Sequence, residues 1–267
     1  ERKEDFGLIL TRYALERFLF RLGESSYKKT FILKGALLFL TWDENTYRPT
    51  RDADLLGHGD NSLSHLKKVF QEICALSVID DGILYFPDTV QIIRLKEDQE
   101  YPGARITFLA KLTEAKIPMQ IDVGFGDIIS PAPKEIKFPT LLEFSPPKIR
   151  VYPPETVIAE KLQAMVLLGI ANSRMKDFYD IWTLSKQFPF EGATLSKAVQ
   201  KTFERRKTPL PSDLPFAFTP EFYDVPVKQS QWKAFVRKNN LLASGEIEFS
   251  TVIAQIKIFL MPILESL

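Results

Sequence analysis

Hydrophobic and polar positions along this chain follow two different periods. Apolar residues three and four positions apart are typical of amphipathic helices, and this pattern dominates the start and the last part of the chain. The helices predicted from it cover residues 4–22, 30–42 and 62–76, and later 155–170, 175–187, 194–205, 230–239 and 249–265. The chain therefore begins and ends with segments that each bury one helical face.

The middle of the chain has the two-residue period of β-strands. Strands are predicted at residues 52–57, 90–95, 104–110 and 117–125. In the last of these, every odd-numbered residue is apolar, whereas Gln120 and Asp122 occupy even positions. Because side chains alternate between the faces of a strand, this segment has one core face and one open face.

A dense group of prolines separates the two kinds of pattern. Seven of the 18 prolines fall between Pro131 and Pro154, which forbids a long helix there and predicts a linker or wrapping segment. We therefore predict an α+β protein with a mixed α/β part at residues 1–145 and a mostly helical part at 146–267.

Composition narrows the class of protein. Of 267 residues, 45% are hydrophobic, so a packed core is feasible, and the net charge of +1 excludes a protein that coats nucleic acid over its whole surface. No apolar run is long enough to span a membrane. The single cysteine, Cys74, excludes an internal disulfide and suits a reducing compartment, so we expect a cytoplasmic protein.

Two acids one residue apart are the most informative chemical feature. In an extended strand Asp52 and Asp54 point the same way, and two carboxylates on one face repel each other. Such a pair persists in water or around a cation, and the following Leu55-Leu56 argue against full exposure. Asp122 is the natural third carboxylate of one site. A solvated strand edge or turn is the alternative for the pair, and a solvated sheet face for Asp122.

Phosphoryl transfer from a nucleoside triphosphate needs such carboxylates. They hold Mg²⁺, which prefers hard oxygen ligands, while cations neutralise the triphosphate. Gly35 lets the backbone approach a phosphate closely. The candidate cations are Lys34, Arg48, Arg51, Lys161, Arg174 and Lys176.

A second constellation lies on two predicted helices. Asp177 and Asp180 share a helical stripe with Ile181 and Leu184, so their carboxylates need cations, metal or backbone donors. Lys161 borders an apolar face of the preceding helix. An internal salt bridge between Lys161 and Asp177 is the alternative to a catalytic role, and the two are compatible.

Taken in order, these motifs resemble the AbiEii/AbiGii (MenT-like) nucleotidyltransferase toxin family over residues 30–187. They are Lys34-Gly35, Arg48-x-Thr50-x-Asp52-x-Asp54, Asp122, Glu160-Lys161-Leu162 and Arg174-x-Lys176-Asp177-x-x-Asp180. The resemblance implies a DNA-polymerase-β-like nucleotidyltransferase fold, with a mixed sheet flanked by helices and then a helical half. It also implies Mg²⁺, a nucleoside triphosphate donor, and a cognate antitoxin in phage defence or a related toxin–antitoxin system.

The resemblance also assigns roles residue by residue. Asp52 and Asp54 match the metal-binding acids, Lys161 matches a lysine near the triphosphate, and Asp177 matches the acid of the last motif; these four are the expected catalytic residues. Asp122 matches an optional third metal ligand. The expected nucleotide-binding residues are Lys34, Gly35, Arg48, Arg51, Arg174 and Lys176. The broader superfamily has Gly-Ser or Gly-Gly before the acids, whereas this chain has Gly35-Ala36 and so lacks one hydroxyl donor to phosphate.

We therefore expect transfer of a nucleotidyl group from a nucleoside triphosphate to an acceptor, which we expect to be RNA and in particular tRNA. The helical half is expected to complete the active-site cleft. A non-catalytic nucleotide- or partner-binding module with the same fold is one alternative. A metal-dependent nuclease is another, because acid clusters also serve hydrolysis.

Overall fold

A computed structural model describes residues 5–42, 50–95, 103–239, 241 and 248–267. The chain divides into two units. The first comprises Glu1–Asp127 and Pro133–Tyr152, and the second comprises Ile128–Ala132 and Pro153–Leu267. The continuous stretch of the second unit thus begins at Pro153 rather than at the predicted residue 146, because the strand at 148–151 belongs to the sheet of the first unit.

The first unit contains a mixed sheet of seven strands in the described part of the chain. The strands are β1 (Phe31–Lys34), β2 (Ala53–Gly57), β3 (Ile83–Arg94), β4 (Ala104–Leu112), β5 (Ala115–Phe125), β6 (Lys134–Lys137) and β7 (Lys148–Val151). Their order across the sheet is β3-β4-β5-β2-β1-β7-β6. β2 pairs with β5, and β1 with β7, in parallel, whereas the other neighbours are antiparallel. Together with the helices, this sheet confirms the predicted α+β class.

Two long helices cover the core face of this sheet. The helices of the first unit are α1 (Phe6–Glu24), the short α2 (Gly35–Leu38) and α3 (Leu63–Ala75). The buried ring of Phe18 on α1 lies 5.2 Å from Phe108 on β4 and 5.8 Å from Phe70 on α3, measured between centroids. Side chains that point away from Phe108 on β4 therefore lie on the opposite face of the sheet.

β5 has the alternation predicted for residues 117–125. Its odd-numbered apolar residues are all buried: Ile117, Met119, Ile121, Val123 and Phe125. Gln120 and Asp122 are half-buried on the other face. The sequence pattern therefore identified both the strand and the face that carries the acid.

The helix predicted at residues 30–42 is wrong in its first part. Residues Phe31–Lys34 form β1, which lies between β2 and β7 with its first three residues buried, and the helical turn begins only at Gly35. A short, wholly apolar run has no period that separates a buried strand from a buried helix. Since β1 has neighbours on both edges, pairing within the sheet decides its conformation.

The proline-rich segment is more than a linker. β6 and β7 pair with each other, and β7 joins β1, with Leu33 opposite Val151. Neither of these four-residue strands contains proline. The seven prolines all lie before, between or after them. Prolines at strand boundaries break no ladder hydrogen bond, so the segment extends the sheet in two short pieces.

The second unit is helical in the described residues. Its helices are α4 (Pro154–Leu168), α5 (Met175–Gln187), α6 (Gly192–Arg205), α7 (Pro220–Tyr223), α8 (Pro226–Lys238) and α9 (Phe249–Glu265). α4 packs against α5 and α6, and α5 packs against α9. In the core, the Phe249 ring lies 5.0 Å from that of Trp232 and 5.2 Å from that of Phe178. The five helices predicted after Pro154 are confirmed. Within the described ranges, no helix has the length and apolarity needed to cross a membrane.

Candidate functional site

One row of charged side chains crosses four neighbouring strands of the first unit. Lys34 on β1 lies opposite Asp54 on β2, Asp54 lies beside Asp122 on β5, and Asp122 lies opposite Arg105 on β4. Adjacent strands are about 4.8 Å apart, so each residue of the row is next to the following one. The flanking residues Ala53 and Ile121 are fully buried, and the row therefore faces away from the core.

Asp52 lies on the same face as this row. It immediately precedes β2, and its carboxylate accepts a hydrogen bond from the Thr50 hydroxyl and one of 3.5 Å from Gln120 Nε2. Gln120 and Asp122 share a face of β5, so the contact with Gln120 places Asp52 beside Asp54. The spacing of the two acids in sequence therefore produces two carboxylates on one surface, as predicted.

Gly35 makes room for the Asp54 carboxylate. It directly follows β1, its φ angle is 71°, and a Cβ atom at this position would overlap Oδ2 and Cγ of Asp54. The sequence suggested glycine here for close approach to a phosphate. The structure gives it a different role, in which the bare Cα packs against one of the two acids. Contact between Gly35 and a nucleotide stays a prediction.

Lys34 is held at the end of β1 by an acid that the sequence analysis missed. Its Nζ atom lies 2.8 Å from Asp127 Oδ2 and 5.1 Å from the centroid of the Tyr152 ring. Asp127 follows the last residues of β5, two strands away. Only the order of the strands brings these residues together, so no local sequence signal identifies the pair.

Arg105 is the second residue that the sequence analysis missed. Its Nε donates a hydrogen bond of 2.8 Å to Asp122 Oδ1, and its Nη2 donates one of 2.7 Å to Oδ2. Such a two-pronged pair fixes both side chains. The hydrogen bonds with Asp122 are the largest cause of the raised Arg105 pKa, and the charges of Asp122, Asp52 and Asp54 raise that pKa further. Arg105 therefore lies in the field of all three acids.

The carboxylates of this face suit a hard divalent cation, and nucleotidyltransferases generally use divalent metal ions. Among the described residues, no three His, Cys, Asp or Glu side chains converge as a metal-binding group. Mg²⁺ keeps several waters and is often held by one or two carboxylates together with substrate phosphates. Asp52 and Asp54 fit that requirement by their oxygen donors and shared face. Ligation by Asp122 stays a prediction, since both its oxygens bond to Arg105.

A second ionic cluster joins two helices of the second unit. Lys161 Nζ on α4 lies 2.7 Å from Asp177 Oδ1 and 2.8 Å from Asp180 Oδ2 on α5. Arg174 Nε, just before α5, lies 2.7 Å from Asp177 Oδ2. Asp177 and Asp180 are one helical turn apart and both are buried, so one ammonium group serves two carboxylates. The salt bridge considered in the sequence analysis is present.

The charge of Asp177 is stabilised by its cations. Burial alone would raise the pKa of this carboxyl, but Lys161 and Arg174 outweigh burial, and the pKa lies below its ordinary value. Asp177 is therefore ionised at neutral pH although its side chain is enclosed. Its position suits an acid that orients Lys161, and a direct role in transfer stays a prediction.

The remaining predicted nucleotide-binding cations are more exposed. Arg51 is exposed, and its Nη2 lies 3.9 Å from Asp5 Oδ1, whereas Lys176 is exposed on α5. Arg48 lies outside the described residues. Each contact of an exposed cation with an anion contributes little energy, because water and salt screen it.

Comparisons with known proteins identify a family and agree with the fold. The family model described as "Nucleotidyl transferase AbiEii toxin, Type IV TA system" matches residues 17–253. The fold resembles two crystal structures, one of JHP933 from Helicobacter pylori and one of a candidate nucleotidyltransferase from H. pylori. Each is 15% identical with a TM-score of 0.54; the matches cover 98% of this chain and 94% and 97% of the respective structures. At that identity the likeness concerns the fold. A search of curated protein sequences found no match.

Proposed function

The chain belongs to the AbiEii nucleotidyl transferase toxin family, and we propose that it transfers a nucleotidyl group from a nucleoside triphosphate to RNA with Mg²⁺ as the metal. Membership of this family makes the chain a nucleotidyltransferase and implies a nucleotide substrate and an antitoxin partner. It also favours transfer over the non-catalytic and nuclease alternatives.

The observation that carries the proposal is the shared face of Asp52 and Asp54. The two carboxylates would hold the metal, and Gly35, which has no Cβ atom, leaves room for the Asp54 carboxylate. A bound Mg²⁺ would supply positive charge that offsets the negative charge of the phosphates during transfer. Thr50 and Gln120 fix Asp52 by hydrogen bonds, so both acids are oriented before substrate arrives.

Two lysines, each held by a carboxylate, are proposed to contact the triphosphate. Lys34 in the first unit and Lys161 in the second are the cations that we expect to contact the triphosphate. Both are held by carboxylates, Lys34 by Asp127 and Lys161 by Asp177. Such pairs restrict the lysine rotamers, so less side-chain entropy is lost when an anion binds.

The acceptor is proposed to be RNA, with tRNA as the first species to test. A net charge of +1 means that RNA must be bound by a local basic patch rather than by the whole surface. Lys201 and Arg205 near the end of α6, followed by Lys207, supply such a patch. We expect the enzyme to act in the cytoplasm, in phage defence or a related toxin–antitoxin system.

The test is transfer of label to total cellular RNA. The full chain is incubated with each of the four ribonucleoside triphosphates, labelled at the α-phosphate or at the γ-phosphate, with Mg²⁺ or with EDTA. We expect α-label from one or more nucleotides on RNA of tRNA size, only with Mg²⁺. Transfer of γ-label alone would indicate a phosphoryl transferase, and shortened RNA would indicate a nuclease.

Asp54→Asn is the matching variant. It keeps the size of the side chain and removes the charge, so we expect a loss of transfer of roughly 10²–10³-fold, the size typical of losing one electrostatic contact to the transition state. Asp88→Asn removes an exposed carboxylate of β3 and serves as the control. Full activity in Asp54→Asn would overturn the assignment of the acid pair.

A further inference from the structure

The pair formed by Arg105 and Asp122 changes what the third acid can do. Both oxygens of Asp122 accept hydrogen bonds from one guanidinium group, at 2.8 and 2.7 Å. The pair lies in the charged row, one strand from Asp54. An acid that the sequence places beside the metal ligands is thus already bound to a cation of its own chain.

We propose that Arg105 is a positioning residue that keeps Asp122 out of the metal site, leaving Asp52 and Asp54 as the protein's carboxylate ligands. This inference rests on the proposed metal-dependent function. It goes beyond that function by assigning a role to Arg105, which none of the sequence motifs contains. It also changes the role of Asp122 from ligand to partner of an arginine.

The geometry supports this division. A carboxylate that receives two parallel N–H groups from one arginine is fixed in orientation. To reach a metal, Asp122 would have to give up part of this pair or bring the cation close to the guanidinium charge. Two like charges at such a distance repel strongly at the low effective dielectric of a partly buried site. Asp122 is half-buried, so water screens this repulsion only in part.

Arg105 also acts on the two remaining acids. Its side chain is 37% exposed, and its pKa responds to the charges of Asp52 and Asp54. Interaction between charges is mutual, so Arg105 makes the site less attractive to a cation than the acids alone would be. Arg105 therefore determines both how many carboxylates bind the metal and how tightly the Asp52/Asp54 site binds it.

The proposal is tested by measuring the affinity of the full chain for Mn²⁺. Electron paramagnetic resonance monitors the binding, and no nucleotide is present. Arg105→Gln removes the charge and frees Asp122, so we expect Mn²⁺ to bind about tenfold more tightly, the effect of one charge roughly two strand spacings away. Arg105→Lys keeps the charge and should give a smaller rise. Unchanged or weaker binding in Arg105→Gln, or an equal rise in Arg105→Lys, would overturn the proposal.

The double variant Arg105→Gln/Asp122→Asn is the decisive measurement, because it removes one positive and one negative charge together. If Asp122 is not a ligand, the two changes act only through charge, and the Mn²⁺ affinity of the double variant should stay within about tenfold of wild type, because Asp122 lies one strand spacing and Arg105 two strand spacings from Asp54. A greater loss would mean that Asp122 binds the metal, and the proposal would be wrong. This comparison stands even if Arg105→Gln alone fails to fold.

Lys111→Gln is the matched control. Lys111 lies on the same face of the same strand, and its six-residue separation from Arg105 corresponds to about 20 Å, well beyond the screening length of about 10 Å at 0.1 M salt. Its loss should leave Mn²⁺ affinity unchanged.

Asp54→Asn reports separately on the proposed function: if that variant binds Mn²⁺ like wild type, the acid pair is not the metal site. Failure of transfer with normal Mn²⁺ binding would instead question the proposed reaction.

Discussion

The Cα atom of Gly35 packs directly against the carboxylate of Asp54, so closely that a Cβ atom at residue 35 would overlap it. Gly35 also has a φ angle of 71°, in the left-handed region that L side chains rarely adopt. Two independent constraints therefore require glycine at this position. They link the turn after β1 to the acid on the neighbouring strand β2.

Gly35→Ala should displace the Asp54 carboxylate and lower transfer strongly. A misplacement of about 1 Å at a reacting centre costs on the order of 10²-fold in rate, and we expect a loss of that size. The strained backbone should also lower the free energy of unfolding by about 1–3 kcal/mol. Transfer assays and urea unfolding of the same preparation measure both effects.

Gly59→Ala separates strain from overlap. Gly59 has a φ angle of 90°, and a Cβ atom there would have no heavy atom within 4 Å. The control variant therefore carries the backbone strain alone and should lose stability while keeping transfer activity. Equal losses of activity in the two variants would show that strain, rather than displacement of Asp54, explains the effect.

Lys34 is expected to contact the triphosphate, and its pair with Asp127 allows a direct test. A hydrogen bond to a charged group contributes about 1.5–3 kcal/mol, so Lys34→Met should raise the KM for the nucleotide roughly ten- to hundredfold. Asp127→Asn removes the carboxylate that lies 2.8 Å from Lys34 Nζ and so the restraint on the lysine rotamer; this KM should rise, but by less than in Lys34→Met. If Lys34→Met changes stability but not KM, the lysine is structural.

The periodic elements were predictable because their patterns are local. The alternation of β5 is complete over 117–125, and each long helix after Pro154 has an apolar stripe that packs within its own unit. The sequence also identified Asp52 and Asp54 as a same-face pair, since their spacing matches the period of a strand. In these cases a single segment contains all the information that its conformation needs.

The missed features depend on strand order instead. Arg105 and Asp122 belong to a β4–β5 hairpin whose register sets them opposite each other, and one residue of slip would separate them onto opposite faces. Lys34 meets Asp127 because β1 and β5 both flank β2. β1 itself was predicted as a helix, since an apolar run without polar interruptions carries no period. These two ion pairs and the conformation of β1 all depend on which strands pair with each other, and no local sequence pattern predicts that pairing.

Lys161→Met should destabilise the second unit, because it removes the ammonium group shared by Asp177 and Asp180. Removing one partner of a buried ion pair costs about 3–5 kcal/mol. Lys161→Arg keeps the charge and should keep most of the stability. Unfolding in urea measures these effects.

Lys186→Met is the control for this cluster. Lys186 is exposed on α5 and lies over the Trp182 ring, a contact of about 0.5–1 kcal/mol at an exposed site. Its loss should therefore have a small effect. If Lys161 also contacts the triphosphate, Lys161→Arg should raise the nucleotide KM at near-normal stability. Wild-type stability in Lys161→Met would contradict the role of Lys161 in joining the helices.

The lowered pKa of Asp177 predicts how the stability of the protein changes in acid. Burial alone would raise this pKa, but Lys161 and Arg174 bring it below the ordinary value of 3.8. A carboxyl with a depressed folded-state pKa contributes stability that is complete above the unfolded value and is lost as the pH falls through the folded value.

Asp177→Asn removes this titration. The difference in unfolding free energy between wild type and the variant should therefore be constant at about pH 6–8 and shrink below about pH 4. Urea unfolding at a series of pH values measures this difference directly. The contributions of the other carboxyls to the pH dependence cancel, because both proteins contain them. A difference that grows as the pH falls would mean that burial outweighs the two cations.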